Sequence, residues 1–200
     1  MTAAGLLVGI FVGGKGTRMG GVAKGLLKSP GSEHTLIERL LRELHAALPQ
    51  AGVVLVGARD EYAVLGLPSV ADAEGEPGPL GGLLGLLAHA EQLGCAQVLA
   101  LACDLPFIGR ELLARIAREY PLAGAVVAGQ GGVRNPLVAR YAVAEGALVA
   151  QAVRAAGKRS LQAVLDQLGD RVSLLQLSSD EQASLNDWDT PADARQTARS

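Results

Sequence analysis

Five glycines fall within the nine residues 13–21, directly after the apolar run GLLVGIFV at 5–12, and Lys15, Arg18 and Lys24 lie in or just beyond them. Glycines after a strand let backbone N–H groups come close to phosphate oxygens, with Gly13 and Gly14 as the cradle. Arg18 and Lys24 add full positive charges suited to a polyphosphate. The spacing is neither G-x-x-x-x-G-K-[ST] nor G-x-G-x-x-G, because Gly14 and Gly16 are followed by a third glycine only at position 20. A tight strand-to-helix turn with solvated cations is the competing reading, and the cations within the same loop weigh against it. A second chemical signal is Asp104 in LALACDLPF. A carboxylate emerging from an apolar strand is costly unless it is paired or binds a metal. Mg²⁺ takes one or two carboxylates and completes its shell with substrate phosphates and water. Asp104 is the first candidate for such a ligand, and a helix N-cap onto GRELLARIA is the alternative.

These groups need a scaffold that places strand ends side by side. Continuous apolar runs at 5–12, 53–56, 98–103, 125–128 and 172–177 read as strands buried on both faces, as in parallel sheets. Helical patterns alternate with them. In HTLIERLLRELHAAL, Leu36, Ile37, Leu40, Leu41, Leu44 and Leu48 share a face, Thr35 and Glu38 form a capping box, and Pro49 marks the end. Residues 78–93, 110–120 and 160–168 also predict helices. The alternation predicts a single domain over residues 1–200, a three-layer α/β/α fold on a mostly parallel sheet. Ligands in such folds bind beyond the carboxyl ends of the strands.

The segment GGKGTRMGGVAKGLL resembles the signature loop of the molybdenum cofactor guanylyltransferase family, Gly-Gly-x-x-x-Arg-Met-Gly-Gly-x-x-Lys-Gly-Leu-Leu. The resemblance recurs, in order, in GPLGGLLGLLAHA, CDLPF, NPLVARY, AAGKRSLQAVLDQL and DTPAD. It implies a Rossmann-like fold of the nucleotide-diphospho-sugar-transferase type. It also implies transfer of GMP from GTP to the terminal phosphate of molybdopterin or molybdenum cofactor, with Mg²⁺ and release of pyrophosphate. Lys24, Arg18 and Asp104 are then catalytic, and Phe11, Val12, Gly13, Gly14, Lys24, Asp72 and Asp104 hold the nucleotide. Asp104 is the implied Mg²⁺ ligand, with Asp189 of DTPAD as a second candidate; a cap on the final helix fits Asp189 equally well. For Asp72 in SVADAEGEPGPLGG, an Asx turn is as good a reading on the residues alone. Arg134, Asn135, Lys158 and Arg159 are candidates for the anionic pterin acceptor, with exposed surface charge as the alternative. Pro136 would limit ladder pairing there. Molybdoenzymes or cofactor chaperones are the implied recipients.

Two positions depart from the family pattern. Ala23 stands where an acidic residue usually precedes the loop lysine, and Val56 and Gly57 stand where an asparagine usually ends the second strand. A cytidylyl or sugar-phosphate transferase of the same fold is the first rival. Val12-Gly13-Gly14 resembles the Ala-Gly-Gly of the guanylyl enzymes more than the Ala-Ala-Gly of the cytidylyl ones. A non-catalytic nucleotide-binding regulator is the second rival.

Composition narrows the field further. The chain has 200 residues, 49% hydrophobic and 19% charged, with a net charge of −2. Without a long basic run, a duplex nucleic acid is not expected as partner. Cys95 and Cys103 fit no metal spacing or disulfide framework, and a reducing cytoplasm is expected. The first apolar stretch follows no basic residue, unlike a signal peptide. No apolar run reaches the ~20 residues of a membrane span. His34, His45 and His89 are scattered, and Cys103 reads as a small buried residue.

Overall fold

The computed structural model describes residues 5–13, 23–29, 31–57, 60–75, 78–130 and 133–185. Their strands are β1 (Leu6–Phe11), β2 (Gly52–Val56), β3 (Ser69–Val70), β4 (Gln97–Ala102), β5 (Ala125–Gln130), β6 (Val133–Ala142) and β7 (Val172–Gln176). They form one sheet in the order β3-β2-β1-β4-β6-β5-β7. Every strand except β6 runs in one direction, since β6 is antiparallel to both β4 and β5. The five strands expected from the apolar runs are all present, within two residues at each end.

Helices cover both faces. The helices α1 (Leu36–Ala47) and α3 (Arg110–Arg118) pack together on one side, and α2 (Pro79–Gln92), α4 (Val143–Ala155) and α5 (Leu161–Leu168) on the other. The three layers and the mostly parallel sheet are therefore as the alternation predicted. The capping box of α1 forms: the Glu38 N–H donates to Thr35 Oγ1 and the Thr35 N–H donates to Glu38 Oε2. Such a cap is worth about 1 kcal/mol. A short helix, α6 (Ser179–Ala183), follows β7.

Besides the short β3 and α6, two longer elements lay outside the periodicity. α4, VAEGALVAQAVRA, is rich in alanine and carries little contrast between its faces. It forms because it packs between α2 and α5. β6 is the reversed strand, and Pro136 interrupts its ladder as expected. Its register on β5 jumps from Ala139 opposite Val127 to Asn135 opposite Ala128. Pro136, Leu137 and Val138 lie in the jump, so the missing proline N–H costs no ladder bond. The Leu137 N–H donates to Asn135 Oδ1 and Tyr141 Oη donates to the Pro136 carbonyl, which closes the irregular segment.

β6 also carries a buried cation. Arg140 is 1% exposed. Its Nη1 donates to the Ala117 carbonyl, and its Nη2 to the carbonyls of Glu119 and Tyr120, at 2.6, 2.8 and 2.7 Å. These oxygens end α3, where Tyr120 adopts a left-handed conformation with φ 49°. A cation at a helix C-terminus is favourable, and it satisfies carbonyls that the helix itself leaves open. Arg140→Met keeps an apolar side chain of similar reach but takes the guanidinium donor from the Ala117 and Glu119 carbonyls, while the Tyr120 carbonyl keeps the Ala123 N–H. We expect the unfolding free energy to fall by about 2–4 kcal/mol. Urea titration should show a lower midpoint with an unchanged slope; an unchanged midpoint would mean the carbonyls find other donors.

Candidate functional site

The strand order reverses between β1 and β4: β2 and β3 lie on one side of β1, and β4 with all later strands on the other. In open α/β sheets this switch point opens a crevice at the carboxyl ends of the strands. Gly13 follows β1, Gly57 follows β2, and Asp104 follows β4 by two residues. The reversed strand β6 brings its beginning to the same edge, because Val138 pairs with Leu101 and residues 133–135 continue past the end of β4.

The first cluster is built from backbone. The Val56 carbonyl accepts the N–H groups of Val12 and Gly13 at 3.0 and 3.3 Å, so the chain after β1 is held against the end of β2. Gly57 has φ +92°, a left-handed value that favours glycine. A methyl on Gly57 would stand 2.8 Å from Gly13 Cα and 4.0 Å from Asp72 Oδ1. Gly57 thus meets a double demand, and an asparagine at 57 would have no room. Val56 is buried beneath α2, where methyls on Gly9 and Gly82 would each come within 2.9 Å of its side chain. The departure from the family pattern at 56–57 therefore has a steric counterpart. Among the described residues, a methyl on Gly13 itself would meet ordinary contacts, 3.5 Å to Gly57 Cα and 3.8 Å to the Val56 carbonyl. Phe11 and Val12 are buried, Phe11 against α2 and Val12 in the opposite core, so their side chains are packing.

Asp72 closes the second loop. Its Oδ2 accepts the Gly78 N–H at 3.1 Å, six residues on, at the start of α2. This bond spans the whole loop, unlike the two-residue reach of an Asx turn. The carboxylate also faces the positive end of a fourteen-residue helix. α2 can lie this close because a methyl on Gly85 would collide with the Ala71 carbonyl. The guanidinium of Arg154, at the end of α4, donates to the Glu74 carbonyl of the same loop.

The second cluster is charged. Lys24 sits in the 3₁₀ turn Lys24–Leu26, and its Nζ lies 3.0 Å from Asp104 Oδ2. The side chains retain 22% and 16% exposure, so the pair borders the crevice and is accessible to a ligand. Asp104 does not cap α3. The Arg110 N–H at the start of that helix is taken by Glu43 Oε2 instead, and the N-cap is Gly109. Cys103 is buried under Asp104. Burial, with the neighbouring Asp104 charge, pushes its thiol up to about 11. Tyr62 Oη lies 4.0 Å from Cys103 Sγ and accepts the Gly25 N–H at 3.0 Å. Among the described residues no three His, Cys, Asp or Glu side chains gather around a metal position. One carboxylate beside a lysine is a donor set suited to an ion that takes most of its ligands from phosphates and water rather than from the protein.

The four acceptor candidates lie on the same edge in two settings. Arg134 is ion-paired with Asp166 of α5, and its carbonyl accepts Gln162 Nε2 at 2.7 Å. Asn135 Oδ1 is engaged by the Leu137 N–H. Lys158 and Arg159 are exposed ahead of α5, whose first turn is capped by Ser160. Gly14, Lys15, Arg18 and Asp189 lie outside the described residues. Gly57 was marked in the sequence only as a departure from the family pattern, with no part in the site, and Tyr62 was not singled out. Gly57 looks like any strand-end glycine, and Tyr62 sits in a charged stretch, RDEY, without a pattern. Its one signal was rarity: the chain has three tyrosines.

Comparison with known proteins adds family evidence. A family model described as a MobA-like NTP transferase domain matches residues 8–172. A molybdenum cofactor guanylyltransferase of Ralstonia nicotianae is 38% identical over 122 residues, 60% of this chain and 56% of that protein. One of Pseudomonas putida is 35% identical over 163 residues, 78% of this chain and 80% of that protein. The match thus spans a little over half the length of the Ralstonia relative. The crystal structure of molybdopterin-guanine dinucleotide biosynthesis protein A from Archaeoglobus fulgidus superposes with a TM-score of 0.73 at 22% identity, over 96% of both chains. That of 4-diphosphocytidyl-2C-methyl-D-erythritol synthase from Anaerococcus prevotii gives 0.74 at 11% identity, over 97% of this chain and 94% of that one. At these identities the two structures establish the shared fold.

The two thiols differ enough to test the site's packing. Cys103 is buried with its thiol raised to about 11, while Cys95 is partly exposed. At pH 8 the folded protein should be alkylated by iodoacetamide at Cys95 and spared at Cys103, with both labelled in urea. Peptide mapping reads this directly, and labelling of Cys103 in the folded protein would mean that the Lys24 turn opens readily.

Proposed function

The chain belongs to the family of MobA-like NTP transferase domains, and from that premise we propose that it is a nucleotidyltransferase that transfers GMP from GTP to a molybdopterin phosphate. The observation that supports this reading best is the Lys24–Asp104 pair at the switch point, beside the Gly13–Gly57–Asp72 cluster. A cation for phosphate and a carboxylate for Mg²⁺ stand together where the fold binds ligands.

In this reading the acceptor's terminal phosphate attacks the α-phosphorus of GTP. The bond from that phosphorus to the bridging oxygen breaks, and pyrophosphate leaves. A phosphate nucleophile is already ionised at neutral pH, so no general base is needed. Lys24 neutralises triphosphate oxygens, aided by Arg18 from the glycine-rich loop. Asp104 would hold Mg²⁺, and the chemistry the ion supplies when bound is further neutralisation of phosphate charge. Before the nucleotide arrives, Lys24 and Asp104 neutralise each other. On binding, Lys24 exchanges the carboxylate for phosphate. The work of the protein is orientation and fixed charge. Gly13 lies under the nucleoside with Asp72 beside it, and Arg134, Asn135, Lys158 and Arg159 face the acceptor side of the same edge. A cytoplasmic setting belongs to the same reading.

The deciding assay is pyrophosphate release from each of the four NTPs, with and without molybdopterin. Acceptor-dependent release from GTP is expected, and nucleotide binding without turnover would make the protein a regulator. Asp104→Asn keeps the shape of the side chain and removes its charge. It should leave the melting temperature nearly unchanged and cut turnover on the order of a hundredfold. Wild-type activity across a Mg²⁺ titration would remove Asp104 from the metal role.

Base choice is the second test. GTP should exceed CTP by at least ~10-fold in kcat/KM, because a base edge read by buried partners penalises a mismatch. Among the described residues Gly13→Ala meets no steric conflict, so its effect is expected on the ligand. It should shrink the preference for GTP without loss of stability. Parallel kinetics on one acceptor preparation measure this, and equal rates for GTP and CTP in the wild type would move the chain to the cytidylyl branch.

A further inference from the structure

The turn that carries Lys24 and the strand end that carries Asp104 are joined by a side chain from a third element. Tyr62 stands in the 3₁₀ turn Asp60–Leu65 and is buried. Its hydroxyl oxygen accepts the N–H of Gly25, the peptide immediately after Lys24, at 3.0 Å. The contact leaves no slack. A methyl on Gly25 would stand 2.9 Å from Tyr62 Oη, 3.1 Å from its Cε1 and 3.3 Å from Cys103 Cβ. Gly25 is therefore clamped between Tyr62 and the residue that precedes Asp104. The phenol fits this task because its body fills core space while one polar atom reaches the buried N–H.

We infer that Tyr62 is a positioning residue: its hydroxyl holds the Lys24 turn in register with the Asp104 strand end. The inference rests on the reading of Lys24 and Asp104 as the phosphate and metal groups of nucleotidyl transfer. Lysine is a flexible stem, so where its ammonium points depends on how firmly its backbone is held. Charge stabilisation in a transition state depends on that placement more than ground-state attraction does.

Tyr62→Phe keeps the ring and removes the acceptor. In the ligand-free protein, amide hydrogen exchange over residues 24–27 should quicken on the order of tenfold, while β1 and β4 keep their protection. With GTP and acceptor, kcat should fall on the order of tenfold and the KM for GTP should change less than about threefold. In a Lys24→Ala background the same substitution should cost less than about twofold, because Tyr62 acts through Lys24. Gly25→Ala, which crowds the hydroxyl from the other side, should reproduce the local exchange and the kcat loss. Unchanged exchange at 24–27 in Tyr62→Phe overturns the inference. So does loss of protection spread through β1 and β4 with the same rate penalty in both Lys24 backgrounds, which marks general packing. If the wild-type protein turns over no GTP, the reading of the reaction fails, and the exchange measurement on ligand-free protein still decides whether the clamp exists.

Discussion

Lys24 and Asp104 are 80 residues apart in the chain and 3.0 Å apart in space. That ion pair constrains much of the molecule around it. A half-buried pair of opposite charges is tolerable only where both partners are held in place and still reach solvent or ligand. The sheet order supplies the holding. β1 must lie next to β4, the turn after the glycine-rich loop must fold back over the end of β4, and the core beneath must stay dry. Cys103, Tyr62 and Ala23 form that dry floor.

The other half of the site is governed by close backbone approach. Gly57 can lie against Gly13 and beside Asp72 because it has no side chain, and a methyl there would stand 2.8 Å from Gly13 Cα. α2 follows the same rule on the sheet, with Gly82 and Gly85 at its contacts. Asp72 has a structural task in holding the start of α2 and a position that suits a ligand. Its two oxygens divide these settings, Oδ2 on Gly78 and Oδ1 toward Gly57.

On the far side of the switch point, the reversed β6 serves both ends of the sheet. Its beginning carries Arg134 and Asn135 to the crevice edge, and its end buries Arg140 under α3. A parallel strand in that place would run residues 133–135 the opposite way, toward the amino edge. The register jump at Pro136 lets one strand satisfy both neighbours despite a missing donor.

Much of this was legible in the order of residues. Apolar runs alternating with amphipathic segments dictate buried parallel strands under helices, since only that arrangement hides both faces of each strand. The Thr35–Glu38 box, the end of α1 near Pro49 and the interruption at Pro136 are local effects, and local rules reached them. The candidate groups Gly13, Lys24 and Asp104 were visible in a glycine-rich loop with cations after a strand and a carboxylate at the end of another, while Asp72 came from the family resemblance, an Asx turn being as good a reading of the residues. Tertiary structure decided what depends on contact at a distance. α4 has weak periodicity and is helical because its neighbours bury it. The Lys24–Asp104 pairing, the clamp of Tyr62 on Gly25 and the capping of α3 by Arg140 join residues 80, 37 and about 20 positions apart. No local pattern encodes such partners; they are chosen when the sheet order brings the strand ends together and buried donors must find acceptors.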